Sequence, residues 1–223
     1  MKKTAIIFDM DGTIINSEPL LEMATRKLLE TKGIFLDDET SQKLKKQLHG
    51  IGIKIYGEFI KDMYNLSESP QQIIHEQNIL INKFYEQEIK FIDGFVDFHK
   101  KISQLSLKTG IATNADYHTV NISRKKFNLD SFFGEHIYCV EDVNNVSKPK
   151  PDVYLHAANK IGKEEKNCIV IEDSKVGIEA AKNANMFCIG INTSRNKELL
   201  KSADLIVECY EDINLEEILK KIK

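Results

Sequence analysis

The chain has 223 residues, which suffices to bury a sizeable core and fits one domain with an insertion or two small domains. Hydrophobic residues make up 42% of it and charged residues 29%, the composition of an ordinary globular protein. Its 31 Lys and Arg are offset by 34 Asp and Glu, and the formal net charge is -3, so we expect no nucleic-acid partner.

The hydropathy pattern gives no sign of membrane insertion or secretion. No apolar run approaches the roughly 20 residues of a membrane-spanning helix. The apolar run that ends at Phe8 is interrupted by Asp9 and is too short for a secretory signal. We therefore expect no membrane partner and a cytoplasmic location.

The four cysteines are far apart and form no CxxC pair, so we expect buried free thiols at Cys139, Cys168, Cys188 and Cys209.

The first predicted element is a buried strand that ends at two aspartates. Thr4–Phe8 does not alternate with polar residues, which is typical of a parallel strand, and Asp9 and Asp11 follow it. Ligands bind beyond the carboxyl ends of such strands. Two carboxylates this close oppose each other's ionisation unless a cation lies nearby, and Mg²⁺ prefers such oxygen ligands. A capping aspartate followed by an ordinary Asp-Gly turn is the alternative interpretation, so the rest of the chain must decide.

A helical block follows the first strand. The helical periodicity of residues 16–91 predicts a small bundle, in which capping residues and glycines mark the ends of the helices. The predicted helices run from Ser17, as the cap, to Lys32, from Asp37 to His49, from Ile55 to Tyr64, and onward from Ser69-Pro70.

Strands and helices alternate from Phe91 onward. The predicted strands are Lys108–Ala112, Ile137–Val140, Cys168–Ile171, Phe187–Ile191 and Leu205–Val207, and the predicted helices are Val120–Phe127, Asp152–Ile161, Val176–Ala184 and Leu215–Ile222. Such alternation indicates an α/β fold with a parallel sheet. We expect a core of residues 1–15 and 92–223, with residues 16–91 inserted as a separate helical domain.

Residues with reactive or charged side chains follow several of these strands. Because the carboxyl ends of parallel strands meet at one edge of a sheet, we expect these residues to lie together. They are Asp9, Asp11, Thr113, Asn114, Lys148, Glu172 and Asp173. Each one alone has an ordinary structural explanation, but four independent segments converging on one edge favour a catalytic site.

The first acid pair suits phosphoryl transfer. Asp9 can attack phosphorus as a nucleophile and form an aspartyl-phosphate. Asp11 can donate a proton to the leaving alkoxide and later activate water.

The remaining residues suit the charge that such a reaction must stabilise. A carboxylate and a phosphate repel each other, so cationic groups must neutralise both. Lys148 is expected to supply a fixed positive charge, and Glu172 and Asp173 to complete a Mg²⁺ site. Thr113 and the N–H of Asn114 are expected to hold phosphate oxygens.

Four motifs carry a resemblance to a known family. They are Phe8-Asp9-Met10-Asp11-Gly12-Thr13, Ala112-Thr113-Asn114, Ser147-Lys148-Pro149-Lys150-Pro151-Asp152, and Ile171-Glu172-Asp173-Ser174 with Gly177-Ile178-Glu179-Ala180-Ala181. In these motifs and their order the chain resembles the haloacid dehalogenase superfamily, in the subgroup of small phosphatases and phosphomutases similar to β-phosphoglucomutase. The resemblance covers nearly the whole chain and implies a Rossmann-like core with an inserted helical cap.

The resemblance also implies roles for individual residues. It implies Asp9 as nucleophile and Mg²⁺ ligand, and Asp11 as general acid/base and as a ligand through its backbone carbonyl. Asp173 is implied as a further ligand, and Glu172 as one that binds the metal directly or through water. Gly12 belongs with the phosphate-binding residues.

Two departures from the family pattern bear on the reaction. Mutases similar to β-phosphoglucomutase have a histidine where this chain has Leu20-Leu21, and a basic cap residue where it has Ile51-Gly52-Ile53. Without those groups a bisphosphorylated intermediate is held less firmly, so we expect a phosphatase, with a phosphomutase as the alternative. Glu18 and His49 are the candidate substrate contacts from the cap. The expected partner is a small phosphorylated metabolite, and nothing in the sequence requires more than a monomer.

A phosphorylation-controlled receiver domain is the alternative from another class, since it also uses an acceptor aspartate, a hydroxyl and a lysine. In a receiver domain the acid pair comes first, and the aspartate that accepts the phosphoryl group lies in the middle of the chain. Here the acceptor candidate Asp9 comes first, and Glu172 and Asp173 come last. That order favours the enzyme.

Overall fold

The computed structural model describes residues 4–48, 53–87 and 89–221. In these ranges six strands form one sheet, in which each neighbouring pair is parallel. The strands are β1 Ala5–Phe8, β2 Lys108–Ala112, β3 Ile137–Tyr138, β4 Cys168–Glu172, β5 Phe187–Ile191 and β6 Leu205–Val207. Their order is β3-β2-β1-β4-β5-β6. The predicted α/β class with a parallel sheet is confirmed.

Ten α-helices lie within the same described ranges. They are α1 Glu18–Thr31, α2 Asp38–Leu48, α3 Ile53–Tyr64, α4 Pro70–Gln87, α5 Phe95–Gln104, α6 Tyr117–Phe127, α7 Asp130–Phe133, α8 Asp152–Ile161, α9 Lys175–Asn183 and α10 Leu215–Lys221. The bounds predicted for β2, β5, β6 and α8 agree with the structure.

β1 lies inside the sheet, between β2 and β4. All four of its residues are buried, as a strand covered on both faces requires. Phe8 pairs with Ile111 of β2 on one side and with Ile171 of β4 on the other. This register brings the carboxyl ends of the three strands level, so the residues that follow them emerge at one edge of the sheet.

Several elements differ from the sequence prediction, among them α7, which was not predicted, and α6, which begins at Tyr117 rather than Val120. β3 ends at Tyr138 rather than Val140, because the N–H of Cys139 donates to the Asp142 carboxylate over 2.8 Å and the chain turns into a 3-10 helix. No helix was predicted over α5. Its buried face, which includes Phe95, Phe98 and Ile102, has the helical spacing that could have revealed it.

The helical segment has a core of its own. Leu28, Leu44, Ile60 and Ile73 come from four different helices and are buried in one apolar cluster. The first helix begins directly after Ser17, as predicted, but Ser17 makes no side-chain capping bond. Its backbone is helical rather than extended, so its carbonyl, not its hydroxyl, accepts the N–H of Leu20.

The chain divides into two compact units, Met1–Asn16 with Lys90–Lys223, and Ser17–Ile89. The expected division, 1–15 with 92–223 and 16–91, places its boundaries within two residues of these. Within the first unit the two connecting segments pair: the N–H of Asn16 donates to the Lys90 carbonyl over 2.9 Å.

In the ranges that the structure describes, no helix has the length and apolar character needed to cross a membrane. The four cysteines are free thiols, as expected. Cys139, Cys168 and Cys188 are buried, whereas Cys209 is only half-buried.

A reciprocal pair of hydrogen bonds caps the start of α4. The Ser69 hydroxyl accepts the backbone N–H of Gln72 over 3.2 Å, and the side-chain oxygen Oε1 of Gln72 accepts the backbone N–H of Ser69 over 2.8 Å. This arrangement satisfies two backbone donors at the helix end. The capping role predicted for Ser69 is confirmed.

We expect Ser69→Ala to lower the free energy of unfolding by about 1 kcal/mol, because the first turn of α4 loses its side-chain acceptor. Denaturant titration followed by circular dichroism measures this change. Ser67→Ala is the matched control, since Ser67 is exposed and its hydroxyl contacts only its neighbour Glu68 in the bonds described. Equal losses in the two variants would contradict the capping role.

Candidate active site

The turn after β1 brings the first candidate residues to the edge of the sheet. The N–H of Asp9 donates to the Ile171 carbonyl of β4 over 3.0 Å, which extends the strand ladder to this aspartate. Gly12 then adopts a φ of +86°, a conformation that favours glycine. A Cβ at Gly12 would lie 2.1 Å from Oδ2 of Asp173. Glycine therefore leaves room for that carboxylate.

Lys148 joins two of the carboxylates. Its Nζ lies 2.6 Å from Oδ1 of Asp9 and 2.8 Å from Oε1 of Glu172, and its side chain is 2% exposed. Its backbone N–H donates to Oδ1 of Asn114 over 2.9 Å, which ties its loop to the segment after β2. A buried ammonium is stable only when it is paired, and two carboxylates pair this one.

Glu172 accepts four hydrogen bonds from the protein. Oε1 accepts from Nζ of Lys148 and, over 2.9 Å, from the hydroxyl of Tyr154. Oε2 accepts from the N–H and the hydroxyl of Ser174, over 3.0 and 2.9 Å. These donors engage both oxygens of the carboxylate and hold the Glu172 side chain in one position.

The charges of the cluster shift the pKa values of its members. Burial raises the pKa of the Asp9 carboxyl to about 7, against the opposing effect of Lys148 and with a contribution from the charge of Glu172. Burial, followed by the charges of Glu172 and Asp9, raises the pKa of Asp173 well above its usual range. Burial acts to lower the pKa of Lys148, but the two carboxylates that it contacts outweigh burial and raise it. One lysine thus balances only part of the negative charge.

The same carboxylates fit a divalent cation. Asp9, Glu172 and Asp173 each offer an oxygen, and these atoms lie within 4.8 Å of one another. Carboxylate oxygens are the ligands that Mg²⁺ prefers, and a divalent charge opposes the repulsion among them. Asp173 is also oriented by the hydroxyl of Thr13, which donates to its Oδ1 over 3.1 Å. The donor set therefore suits Mg²⁺.

The segment after β2 faces the same edge. Thr113 is buried, and its hydroxyl accepts the N–H of Ala115 over 3.0 Å. Its own N–H donates to the Tyr138 carbonyl of β3 over 3.1 Å. Sequence reasoning assigned the N–H of Asn114 to a phosphate oxygen and missed the bond from its side chain to Lys148. The phosphate-binding roles of Thr113 and Asn114 stay predictions.

Two hydroxyls from the C-terminal part of the chain hold the turn after Asp11. The Thr193 hydroxyl donates to the Gly12 carbonyl over 2.8 Å, and the buried Tyr210 hydroxyl donates to the Thr13 carbonyl over 2.9 Å. Sequence reasoning gave neither residue a role, because an isolated hydroxyl far along the chain carries no local signal.

The cluster described above does not include Asp11, and the structure does not describe the side chains of two further predicted site residues, Glu18 and His49. In the part of the chain that the structure describes, Asp11 is half-buried and is not one of the three clustered carboxylates, so its acid/base and backbone-ligand roles stay predictions. Glu18 is the first residue of α1, and its side chain is not described. His49 lies outside the described residues.

Fold and site together define a phosphoric monoester hydrolase: a parallel sheet carries a carboxylate nucleophile candidate, a buried lysine and a carboxylate set for Mg²⁺. A family model described as haloacid dehalogenase-like hydrolase matches residues 6–191, so the chain belongs to that family.

Named relatives agree with this assignment. The chain is 26% identical to the phosphorylated carbohydrates phosphatase of Thermotoga maritima over 98% of both chains. It is 27% identical to the β-phosphoglucomutase of Bacillus subtilis over 95% of this chain and 92% of that protein. A haloacid dehalogenase-like protein of unknown function from Agrobacterium tumefaciens has a similar structure, with a TM-score of 0.79, 26% identity and 98% coverage of both chains.

One relative is much longer than this chain. The chloroplastic protein SUPPRESSOR OF QUENCHING 1 of Arabidopsis thaliana is 27% identical over 98% of this chain, which spans 21% of that protein.

Gly177 in the first turn of α9 makes room for Glu172. A Cβ at Gly177 would lie 1.6 Å from Oε1 of Glu172. The Glu172 carboxylate is buried and held by four donors, so it cannot move aside without breaking them. A glycine is therefore required at this position by the Glu172 side chain rather than by the backbone.

We expect Gly177→Ala to lower the free energy of unfolding by about 2 kcal/mol, although alanine normally stabilises a helix relative to glycine. The control is the same substitution in a Glu172→Ala background, where the clash is absent and the loss should disappear. Denaturant titration of the four proteins measures the coupling. An equal loss in both backgrounds would show that Gly177 serves the backbone instead.

Proposed function

We propose that this protein is a Mg²⁺-dependent phosphatase that hydrolyses a small phosphorylated metabolite, a sugar phosphate or a similar phosphomonoester, through an aspartyl-phosphate on Asp9. The observation that carries the proposal is the contact between Nζ of Lys148 and Oδ1 of Asp9, at 2.6 Å in a buried setting. A buried ammonium beside a carboxylate supplies the fixed positive charge that a transferring phosphoryl group requires.

In the first half-reaction Asp9 attacks phosphorus. A bond forms between a carboxylate oxygen of Asp9 and phosphorus, and the bond from phosphorus to the ester oxygen breaks. Asp11 donates its proton to that leaving oxygen, and the alcohol departs. Lys148 stays beside the negative charge that spreads over the phosphoryl oxygens, while Thr113 and the N–H of Asn114 hold those oxygens in place.

In the second half-reaction water cleaves the intermediate. Asp11, now a carboxylate, accepts a proton from water as the water oxygen attacks phosphorus. The bond from Asp9 to phosphorus breaks, so inorganic phosphate leaves and both aspartates return to their starting states.

Asp9 and Asp173, with the backbone carbonyl of Asp11, would hold Mg²⁺, and Glu172 would contribute either directly or through a water molecule. When bound, this cation would neutralise charge on the phosphate and on the clustered carboxylates. The raised pKa of Asp9 supports the need for it, because a protonated carboxyl group is a poor nucleophile.

Net hydrolysis is favoured over the mutase alternative by two segments. A histidine and a basic cap residue would help to retain a bisphosphorylated intermediate, but the chain has Leu20-Leu21 and Ile51-Gly52-Ile53 at those places. Leu20 is buried and apolar, so it offers no hydrogen bond to a phosphate. The similarity to the β-phosphoglucomutase of Bacillus subtilis keeps the mutase as the second candidate.

The substrate class is supported by the phosphatase of Thermotoga maritima, whose name states that it acts on phosphorylated carbohydrates. The proposal also includes substrate contacts from the cap by Glu18 and His49, a phosphate-binding role for Gly12, action as a monomer and a cytoplasmic location.

A panel of sugar phosphates, nucleotides and short phosphorylated metabolites tests the function by phosphate release, with isomerisation of hexose phosphates followed in parallel. Phosphate release from at least one compound supports the phosphatase. Isomerisation without release supports the mutase instead, and the absence of both reactions contradicts the proposal.

We expect Asp9→Asn to lower kcat at least about a thousandfold, because an amide cannot attack phosphorus. Steady-state phosphate release measures the loss. Asp130→Asn is the control, because Asp130 lies on α7 in a pair with Arg124 at the surface. Retained turnover in Asp9→Asn would refute the nucleophile assignment.

Removal of the metal is expected to abolish activity. A chelator should stop phosphate release and added Mg²⁺ should restore it, whereas excess Ca²⁺ should inhibit because it coordinates more loosely than octahedral Mg²⁺. Activity assays across these additions check the expectation. Full activity in the presence of chelator would rule out the metal.

A further inference from the structure

Tyr154 touches the charged cluster in two ways, although it carries no reactive role in the proposed reaction. It lies in the first turn of α8 and is fully buried. Its hydroxyl donates to Oε1 of Glu172 over 2.9 Å, and the centre of its ring lies 4.6 Å from Nζ of Lys148. One side chain therefore contacts both partners of an ion pair.

The hydroxyl fixes the position of Glu172. Of the four donors to this carboxylate, two come from Ser174 and hold Oε2, while Tyr154 and Lys148 share Oε1. Ser174 alone leaves the carboxylate free to pivot about Oε2. Lys148 and Tyr154 both hold the second oxygen, and of these two donors the Tyr154 hydroxyl is the one carried by a rigid, buried ring.

The ring limits the position of the Lys148 ammonium. A lysine side chain has four methylene groups and many rotamers, so a fixed ammonium needs restraints from several directions. The carboxylates of Asp9 and Glu172 attract Nζ from two sides. The face of the Tyr154 ring, which attracts cations, restrains it from a third.

We propose that Tyr154 is a positioning residue for phosphoryl transfer, because it holds the Glu172–Lys148 pair in the arrangement that keeps the Lys148 ammonium against Asp9. This proposal rests on the proposed function. Its effect is expected on kcat rather than on KM, since Lys148 must meet the charge that develops as the phosphoryl group transfers.

Two substitutions separate the contributions of hydroxyl and ring. Tyr154→Phe keeps the ring and removes the hydroxyl, and we expect kcat to fall about tenfold with KM changed less than about twofold, a barrier increase of ~1.4 kcal/mol. Tyr154→Leu removes both contacts and should lower kcat further. If Tyr154→Leu fails to fold, Tyr154→Phe carries the test alone.

Tyr138→Phe is the matched control. Tyr138 is also a buried tyrosine, but its hydroxyl contacts Nδ1 of His136 over 2.9 Å, away from the charged cluster. We expect Tyr138→Phe to lower the stability about as much as Tyr154→Phe does, while its kcat stays at the wild-type value. Wild-type kcat in Tyr154→Phe, or equal losses of kcat in Tyr138→Phe and Tyr154→Phe, would overturn the proposal.

A second measurement does not depend on turnover. In protein labelled with ¹⁵N at lysine side chains, the buried Lys148 ammonium should give an NMR signal that exchanges slowly with water, identified by its loss in Lys148→Met. Tyr154→Phe should shift this signal and speed its exchange, whereas Tyr138→Phe should leave it unchanged. An unchanged signal in Tyr154→Phe would overturn the positioning role. If the wild-type protein hydrolyses no phosphate ester, the proposed function fails while this measurement still reports on the contact.

Discussion

The structure around the site depends on one electrostatic constraint: a single buried ammonium lies among carboxylates at the end of a buried sheet. Desolvation makes every charge there costly, so each must be paired or hydrogen-bonded. Lys148 meets this demand for Asp9 and Glu172. Three further contacts keep that pairing in place. The backbone N–H of Lys148 donates to Asn114, the Lys148 ammonium lies over the ring of Tyr154, and Ser174 donates two hydrogen bonds to Glu172.

The sheet and the cluster were open to prediction because their signals are local. An apolar run followed by two aspartates indicates a parallel strand with carboxylates at its end, and the alternation of strands and helices further along the chain supports that interpretation. The level register of β1 with β2 and β4 then brings Asp9 and Glu172 together without any knowledge of side-chain packing. Residue type and strand order were sufficient here.

Other features arise from contacts between distant segments, and no local pattern announces them. The hydroxyls of Tyr154, Thr193 and Tyr210 look like those of any other polar side chain until the fold shows which oxygen each one meets. The missing capping bond at Ser17 has a different origin. A serine before a helix favours a side-chain cap, but the backbone of Ser17 adopts a helical conformation, and its hydroxyl makes no capping bond. The missed helix α5 did carry a readable pattern in its buried face.

The central position of β1 has a consequence for the assembly of the molecule during translation. This strand precedes its partners in synthesis, yet β2 and β4 begin only at Lys108 and Cys168. Contacts between such distant segments form slowly, and an unpaired apolar strand favours aggregation until they do. Tyr210, which holds the turn after the strand, is synthesised later still. Asp9, the proposed nucleophile, is thus synthesised well before Lys148 and the other groups that hold it in place.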